Sequence, residues 1–341
     1  MTVEVDHART HAGSIGDLLE RWYADASPGW APTTAAHTRS ILDRHLVPQL
    51  GHVPVVELTT ADIDDLYGRL LRGEQCQGRG LAPGTVHRIH GVLHRALVQA
   101  QRWDWIWLNP AAAATLPRVR RAELVPPTPG QVACLLASVE EVDPVLHGLL
   151  RMAATTGARR GQLLALRWRD LDLTAGVAAF TRAVVTGPNG PVLTATKTDR
   201  THQVELDQTT VATLRALRRR ADRRAAEGAV TVTGESFVFT SDLDGRRPWL
   251  PNRVTHAFLR TRRRAELPHF RLHDLRHFMA TQMLGAGIPI ALVAQRLNHA
   301  RISTTVNVYT HAIRSGDRPA AETLAALIAN PPSEQQALSI S

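Results

Sequence analysis

The chain has 341 residues, 44% of them hydrophobic, which is enough for two domains with cores of ordinary size. Its 40 Lys and Arg residues against 31 Asp and Glu residues give a formal net charge of +9 at pH 7, which favours a polyanionic partner. The two cysteines, Cys76 and Cys134, support neither a disulfide framework nor a thiolate zinc site, and no apolar run approaches the roughly 18 residues of a membrane span.

Four amphipathic helices are predicted in the first third of the chain. Two of them begin at capping boxes, at Ser14 and at Thr59, and another is predicted over 33–50. The last begins near residue 83 and has an apolar face opposite a polar, largely basic one. Four helices with short connections predict a small bundle, and its basic face could follow DNA phosphates or simply be solvated. The DNA-binding candidates on this face are His87, Arg88, His94 and Arg95.

A change of composition predicts a boundary after this bundle. Arginines and prolines alternate over 116–127, where proline removes backbone donors, and a capping box with proline at N1 starts a new helical segment at Thr128. The predicted division is a polar leader (1–13), a helical DNA-binding domain (14–115), a linker (116–127), a second domain (128–318) and a C-terminal amphipathic helix with a tail (319–341).

An arginine pair follows the second helix of the second domain. That helix is predicted over 144–156 and ends at Gly157, which can turn the chain in the left-handed conformation. Arg159 and Arg160 would then lie at the start of a helix predicted over 162–168, where anions bind. Taken alone, the pair is as readily an ordinary surface feature.

Period-two alternation over 177–206 predicts a three-stranded antiparallel meander. Lys197, the only lysine of the chain, lies at the end of a strand beside a turn that contains Arg200. By itself it is a solvated turn lysine, although its retention in so arginine-rich a chain is suggestive. The pattern further predicts a helix over 209–227, a short strand over 237–240 and an arginine-rich helix over 251–267 that contains Arg253.

Four histidines, several arginines and a tyrosine gather in 271–311, where glycine and proline separate three predicted short helices. His273 and Arg276 open the first of these helices, one turn apart. Ser303 is predicted to be the N-cap of the last, which carries Tyr309. Cationic groups, imidazoles and a phenol at consecutive helix ends suit chemistry on a phosphate.

These motifs, in this order, resemble those of the tyrosine recombinases of the phage integrase family, over roughly 14–328. The first arginine box is TGARRGQLLALRWRDLD (156–172), the lysine hairpin is TKTDRTHQVEL (196–206), the histidine-arginine box is HDLRH (273–277) and the terminal box is LNHARISTTVNVYTH (297–311). The resemblance implies a mainly α protein with a small antiparallel β-sheet, in which a four-helix SAM-like core-binding bundle precedes an α+β catalytic domain. Because only thirteen residues precede Ser14, an arm-binding domain is not expected.

The resemblance also implies six catalytic residues, further DNA contacts and no metal or other cofactor. Tyr309 is the nucleophile that forms a 3′-phosphotyrosyl link, Arg159 and Arg276 bind the phosphate oxygens, His273 assists proton removal, Lys197 protonates the leaving oxygen and His299 hydrogen-bonds the phosphate. The DNA-binding candidates in this domain are Arg160, Arg200 and Arg253. The family's usual acidic residue is here Gln162 and its usual glycine is Asn298, which puts the orientation of the reacting groups in question but removes none of them.

The function implied by the resemblance is integration and excision of a mobile element by a cytoplasmic, nucleoid-associated enzyme. Its partners are double-stranded DNA, other copies of the chain in a tetramer on two DNA sites and, as a possible addition, a directionality factor; no membrane partner is expected. Three alternatives stay open: chromosome or plasmid dimer resolution by the same chemistry, a catalytically silent DNA-binding protein of the same fold, and a zinc site formed by His273, His277 and His299.

Overall fold

The computed structural model describes residues 13–74, 78–119, 125–187, 190–195, 202–298, 302–303 and 305–306. These residues form two compact units: the first contains the described residues up to 119 together with Gly187, and the second contains 125–186 and the described residues from 190 onwards. The predicted fold class, mainly α with a small antiparallel sheet, is confirmed. Nothing among the described helices combines the length and the apolar character that crossing a membrane requires.

The first unit is a helical bundle. Its helices are α1 (Ile15–Ala26), α2 (Pro32–Ile41), α3 (Val47–Leu50), α4 (Thr60–Arg72) and α5 (Pro83–Arg102). A π-helical turn joins α2 to α3, so the helix predicted over 33–50 is one helical segment with a local change of winding. The capping boxes predicted at Ser14 and Thr59 are both present.

The apolar faces of these helices meet in one core. Helix α5 contributes buried residues along its whole length, among them Val86, Ile89 and Leu93, which the helical periodicity predicted to face inward. After α5, the side chains of Trp103 and Trp105 pack against this core, and the Arg21 guanidinium lies 4.5 Å from the centre of the Trp103 ring. The basic face of α5 therefore points away from a well-packed core.

The second unit combines seven helices with short strands among its described residues. The helices are α6 (Pro129–Ala137), α7 (Pro144–Thr156), α8 (Arg160–Ala165), α9 (Gln208–Glu227), α10 (Pro251–Arg264), α11 (Asp274–Gly285) and α12 (Ile290–Arg296). The strands are β1 (Leu171–Asp172), β2 (Val177–Phe180), β3 (Arg182–Gly187), β4 (Gly190–Ala195) and β5 (His202–Glu205). Most of these helices begin and end within three residues of their predicted limits, because caps and prolines mark their ends locally.

The predicted three-stranded meander is wrong. Strand β2 pairs antiparallel with β1 and with β5, and β3 pairs with β4 in a separate two-stranded sheet. Thr181 lies between β2 and β3, so the alternating run over 177–185 belongs to two strands that join different sheets.

Burial explains this pairing. Phe180 of β2 and Val204 of β5 are buried in the core, whereas Val192 and Leu193 of β4 are 37% and 41% exposed. The alternation of apolar and polar residues identifies strand residues, but it does not determine which strands pair with each other. The strand predicted over 237–240 is also absent: Phe237 makes only an isolated bridge with Arg167.

Candidate active site

The turn between α7 and α8 presents Arg159. Gly157 ends α7 with φ of +65°, and a Cβ atom there would lie 2.3 Å from Cε of Met279. The turn therefore needs glycine for both its conformation and its close approach to α11. Helix α8 begins at Arg160, two residues earlier than predicted, so Arg159 occupies the N-cap position.

Gln162, which replaces the family's usual acidic residue, orients the backbone of Arg159. Its side chain is buried, and its Oε1 accepts a hydrogen bond of 3.0 Å from the backbone N–H of Arg159. An amide oxygen thus caps the first turn of α8 as a carboxylate would. The guanidinium of Arg159 still reaches solvent, although desolvation by the surrounding turn lowers its pKa.

Arg276 is buried and lies against the same turn. Its Nη1 donates to the carbonyl oxygen of Gly157 and its Nη2 donates to that of Leu297, each at 2.5 Å. The guanidinium thus links the end of α7 to the end of α12. Its contact on α7, Gly157, is two residues before Arg159 in the chain. A buried cation held by backbone carbonyls provides a rigid positive charge where an anion can bind.

His273 lies at the N-cap of α11, one turn before Arg276. Its ring meets that of His277 edge-on, with the ring centres 5.1 Å apart. Desolvation, with smaller contributions from His277 and Arg276, lowers the pKa of His273 to about 4. The imidazole is therefore neutral at pH 7 and has a lone pair that can accept a proton.

The zinc alternative requires His273, His277 and His299 together. Among the residues that the structure describes, no group of three or more His, Cys, Asp or Glu side chains is arranged to hold a metal ion. His299, the third ligand of that alternative, lies outside the described residues, so only the pair formed by His273 and His277 can be assessed.

Two residues that the sequence reasoning missed connect these elements. His202 opens β5, and its Nε2 lies 3.0 Å from the carbonyl oxygen of Arg296 at the end of α12. The side chain of Arg296 in turn donates to the carbonyl oxygens of Thr155 and Glu205, at 3.0 Å each. A signal for His202 existed: in the alternation of β5 it shares the buried face with Val204, where a polar residue needs a partner.

Asn298 follows α12 with φ of +49°, in the left-handed region. After glycine, asparagine is among the residues that adopt the left-handed region most readily. The replacement of the family's usual glycine at this position therefore preserves the turn that leads towards residue 299.

Several predicted site residues lie outside the described residues. These are Lys197, Arg200, His299 and Tyr309, together with the C-terminal helix predicted within 319–341. Among the described residues, Arg276 binds the turn that carries Arg159, and His273 lies one helical turn before Arg276. Ser303 is not the N-cap that was predicted, because Ile302 is already helical.

The four DNA-binding candidates of α5 differ in their surroundings. Nε2 of His87 donates to the carbonyl oxygen of Pro117 at 2.8 Å, and the half-buried ring of His94 packs 5.6 Å from that of His90. These two histidines are engaged within the bundle. Arg88 and Arg95 are exposed and make no hydrogen bond or ion pair with other described residues, so their guanidinium groups are available to a partner.

In the second unit, Arg160 and Arg253 lie near the beginning of α10. Nη1 of Arg160 donates to the carbonyl oxygen of Pro251 at 3.3 Å and to Oγ1 of Thr255, and desolvation lowers the pKa of Arg160. Arg253 donates to Oγ of Ser241 at 3.0 Å and stacks over the ring of Trp249. Arg160 therefore supports the start of α8 as well as contributing positive charge.

Comparison with known proteins agrees with this architecture. The model of the phage integrase family matches residues 128–315, and that of the phage integrase N-terminal SAM-like domain matches residues 14–71. The first match covers more than half of the chain. The chain belongs to the phage integrase family of tyrosine recombinases.

Relatives of the chain are named as integrases or tyrosine recombinases. The prophage phiRv2 integrase of Mycobacterium tuberculosis is 26% identical over 324 residues, which cover 93% of this chain and 79% of the relative. A XerC-like tyrosine recombinase of Caldanaerobacter subterraneus is 28% identical over 340 residues, which cover 91% of this chain and 82% of the relative.

Solved structures share the fold. The Tn1549 transposon integrase in complex with transposon right end DNA superimposes with a TM-score of 0.73 at 19% identity, covering 92% of this chain and 99% of that one. A lambda integrase tetramer bound to a Holliday junction gives a TM-score of 0.63 at 17% identity, covering 87% and 78% of the two chains.

Proposed function

We propose that the chain cleaves and rejoins duplex DNA at specific sites through a 3′-phosphotyrosyl intermediate, to integrate and excise a mobile element. The observation that carries this proposal is the group formed by Arg159, Arg276 and His273 around the turn at Gly157. Two guanidinium groups and a neutral imidazole there suit a phosphate that gains negative charge during attack.

Each residue of this group has a role in the proposal. Arg159 and Arg276 bind the non-bridging oxygens and stabilise the pentacoordinate transition state, so that loss of either slows cleavage by roughly 10²-fold. His273, neutral at pH 7, helps remove the phenol proton of Tyr309. Lys197 protonates the leaving 5′-oxygen, and His299 hydrogen-bonds the phosphate.

The energy of the broken phosphodiester stays in the phosphotyrosyl bond. A 5′-hydroxyl of another strand attacks that bond and releases Tyr309, so strand exchange needs neither ATP nor a redox step. Duplex DNA is the substrate in this proposal, and Arg88, Arg95 and Arg200 contact its phosphates, which makes the affinity fall steeply as salt rises. We further propose a tetramer on two DNA sites in the cytoplasm at the nucleoid, with a directionality factor as an additional partner. The lambda integrase tetramer bound to a Holliday junction supports this assembly.

The test is a search for the covalent intermediate. Overlapping duplex fragments that tile the DNA flanking the gene, each with a nick that traps the intermediate, are incubated with the full-length chain. A denaturation-resistant protein–DNA adduct is expected with at least one fragment, in the presence of excess chelator. Fragments from the ends of a mobile element support integration, whereas a chromosomal or plasmid resolution site supports dimer resolution.

Two tyrosine variants assign the nucleophile. Tyr309→Phe removes the attacking hydroxyl and should abolish the adduct. Tyr23→Phe is the matched control, because it removes only a hydroxyl that donates to the carbonyl oxygen of Ala35 at 3.2 Å. An adduct that persists in Tyr309→Phe excludes that nucleophile, and specific binding without any adduct points to a silent DNA-binding protein. Adduct formation that is lost with chelator and restored by zinc would contradict the metal-free mechanism.

A further inference from the structure

The end of α12 is held by two side chains from other elements. The last carbonyl groups of a helix have no partner within it. Here the carbonyl oxygen of Arg296 accepts a hydrogen bond of 3.0 Å from Nε2 of His202, and the carbonyl oxygen of Leu297 accepts one of 2.5 Å from Nη2 of Arg276. Two consecutive carbonyl groups at the end of α12 thus accept hydrogen bonds from other elements. One donor, Arg276, belongs to the predicted catalytic residues, and the other, His202, does not.

The contact between α12 and β5 is reciprocal. His202, the first residue of β5, binds the backbone of Arg296, while the Arg296 side chain binds the carbonyl oxygen of Glu205, the last residue of β5. The same guanidinium also donates to the carbonyl oxygen of Thr155 near the end of α7. Helix α12, strand β5 and helix α7 therefore meet at Arg296.

These three elements lie close in sequence to predicted catalytic residues. His202 follows Lys197 by five residues, Arg296 precedes His299 by three, and Thr155 precedes Arg159 by four. Between α12 and residue 299 there is only a short turn at Asn298. A displacement of the end of α12 relative to β5 would therefore move the Leu297 carbonyl that Arg276 binds.

The state of the His202 ring follows from its partner. A carbonyl oxygen only accepts hydrogen bonds, so Nε2 must carry the proton. The side chain is 7% exposed, and its Nδ1 has no hydrogen-bond partner among the described residues. Burial lowers its pKa, the hydrogen bond to the Arg296 carbonyl opposes this shift, and the positive charges of Arg276 and Arg159 add to the lowering, so the pKa lies below its usual value. The ring is thus neutral with Nε2 protonated, as the contact requires.

We propose that His202 is a positioning residue for DNA cleavage, whose Nε2–H holds the end of α12 on β5 and so keeps the carbonyl oxygen of Leu297 in place for the guanidinium of Arg276. This role rests on the recombinase function proposed above. His202 touches neither the phosphate nor the nucleophile in this role; it acts through the backbone of Arg296.

Two amide variants test the tether with little change in polarity. In His202→Gln the amide nitrogen can occupy the place of Nε2 and donate to the Arg296 carbonyl. In His202→Asn the side chain is one methylene shorter and cannot reach it. His147→Gln is the matched control, because His147 is also buried in the second unit but lies on α7 eight residues before Thr155, the α7 residue that Arg296 contacts.

The decisive measurement is the single-turnover rate of adduct formation, at saturating protein, on the nicked fragment that the native chain cleaves. His202→Asn should be slower by about 10- to 100-fold, the effect of displacing reacting groups by roughly 1 Å, while His202→Gln stays within about threefold of the native rate. DNA affinity should change little in either variant, and His147→Gln should match the native chain. The unfolding temperature should stay near the native value in His202→Gln and fall in His202→Asn by about 2–12 °C, because the buried Arg296 carbonyl then has no donor. A His202→Asn variant that cleaves at the native rate, or a His202→Gln variant as slow as it, overturns the proposal.

A second measurement needs no DNA. In the full-length chain labelled with ¹⁵N-histidine, the nitrogen shifts of His202 should show a neutral ring protonated at Nε2 at pH 7. A ring protonated at Nδ1, or at both nitrogens, overturns the proposal even if a variant fails to fold. Absence of any adduct with the native chain would instead contradict the recombinase function and leave the tautomer result standing.

Discussion

Replacing Gly157 by alanine should damage both the stability of the second unit and the candidate active site. Gly157 has φ of +65°, and an added Cβ would lie 2.3 Å from Cε of Met279 and 3.2 Å from Cδ2 of Leu297. The left-handed conformation costs a residue with a Cβ about 1–2 kcal/mol, and overpacking costs about 1–3 kcal/mol more. Because Cε is the flexible end of Met279, we expect a total near the lower limit, about 2–3 kcal/mol.

Calorimetry of the full-length chain measures the first effect. For a unit of this size, each kcal/mol lowers the unfolding temperature by about 2–4 °C, so the Gly157→Ala variant should unfold about 4–12 °C below the native chain. The adduct assay measures the second effect. The carbonyl of residue 157, which Arg276 binds, would move, and the rate should fall by about 10-fold or more.

Gly285→Ala is the matched control. Gly285 ends α11 without a positive φ, and a Cβ there would meet nothing within 4 Å. Alanine in that place should be neutral or stabilising by up to about 1 kcal/mol. If Gly157→Ala unfolded at the temperature of Gly285→Ala and cleaved DNA at its rate, the account of the α7–α8 turn would be refuted.

Two further predictions follow from the same site. Since partial desolvation at the start of α11 lowers the pKa of His273 to about 4 from 6.5, the unfolded chain binds more protons between these values, and the free energy of unfolding should fall as the pH drops from 6.5 towards 4. Denaturant titrations at several pH values should show this slope, and it should be smaller in His273→Gln; an equal slope would contradict the assignment. At Asn298, with φ of +49°, substitution by glycine should leave the unfolding temperature unchanged or raised, whereas alanine should cost about 1 kcal/mol; equal effects of the two substitutions would exclude a requirement for the left-handed turn.

The sequence by itself determined most of the helices and the family. Ser14 and Thr59 begin helices through hydrogen bonds to residues three positions away, and a contact of that range can be read from neighbouring letters. The four recombinase boxes are equally local, and each is a short run with its own spacing. The limits proposed for the domains remain a prediction, since residues 120–124 of the linker lie outside the described residues.

Only the tertiary structure decided how the strands pair and how the candidate site is held together. Alternation identified strand residues over 177–206, but burial of Phe180 and Val204 selected β5 as the partner of β2. The acceptor role of Gln162 and the left-handed turn at Asn298 likewise became clear only in three dimensions. His202 and Arg296 are 94 residues apart in sequence, and no local period relates them. Their contact exists because a buried imidazole and the unsatisfied end of a helix each require a hydrogen-bond partner, and the fold brings the two together.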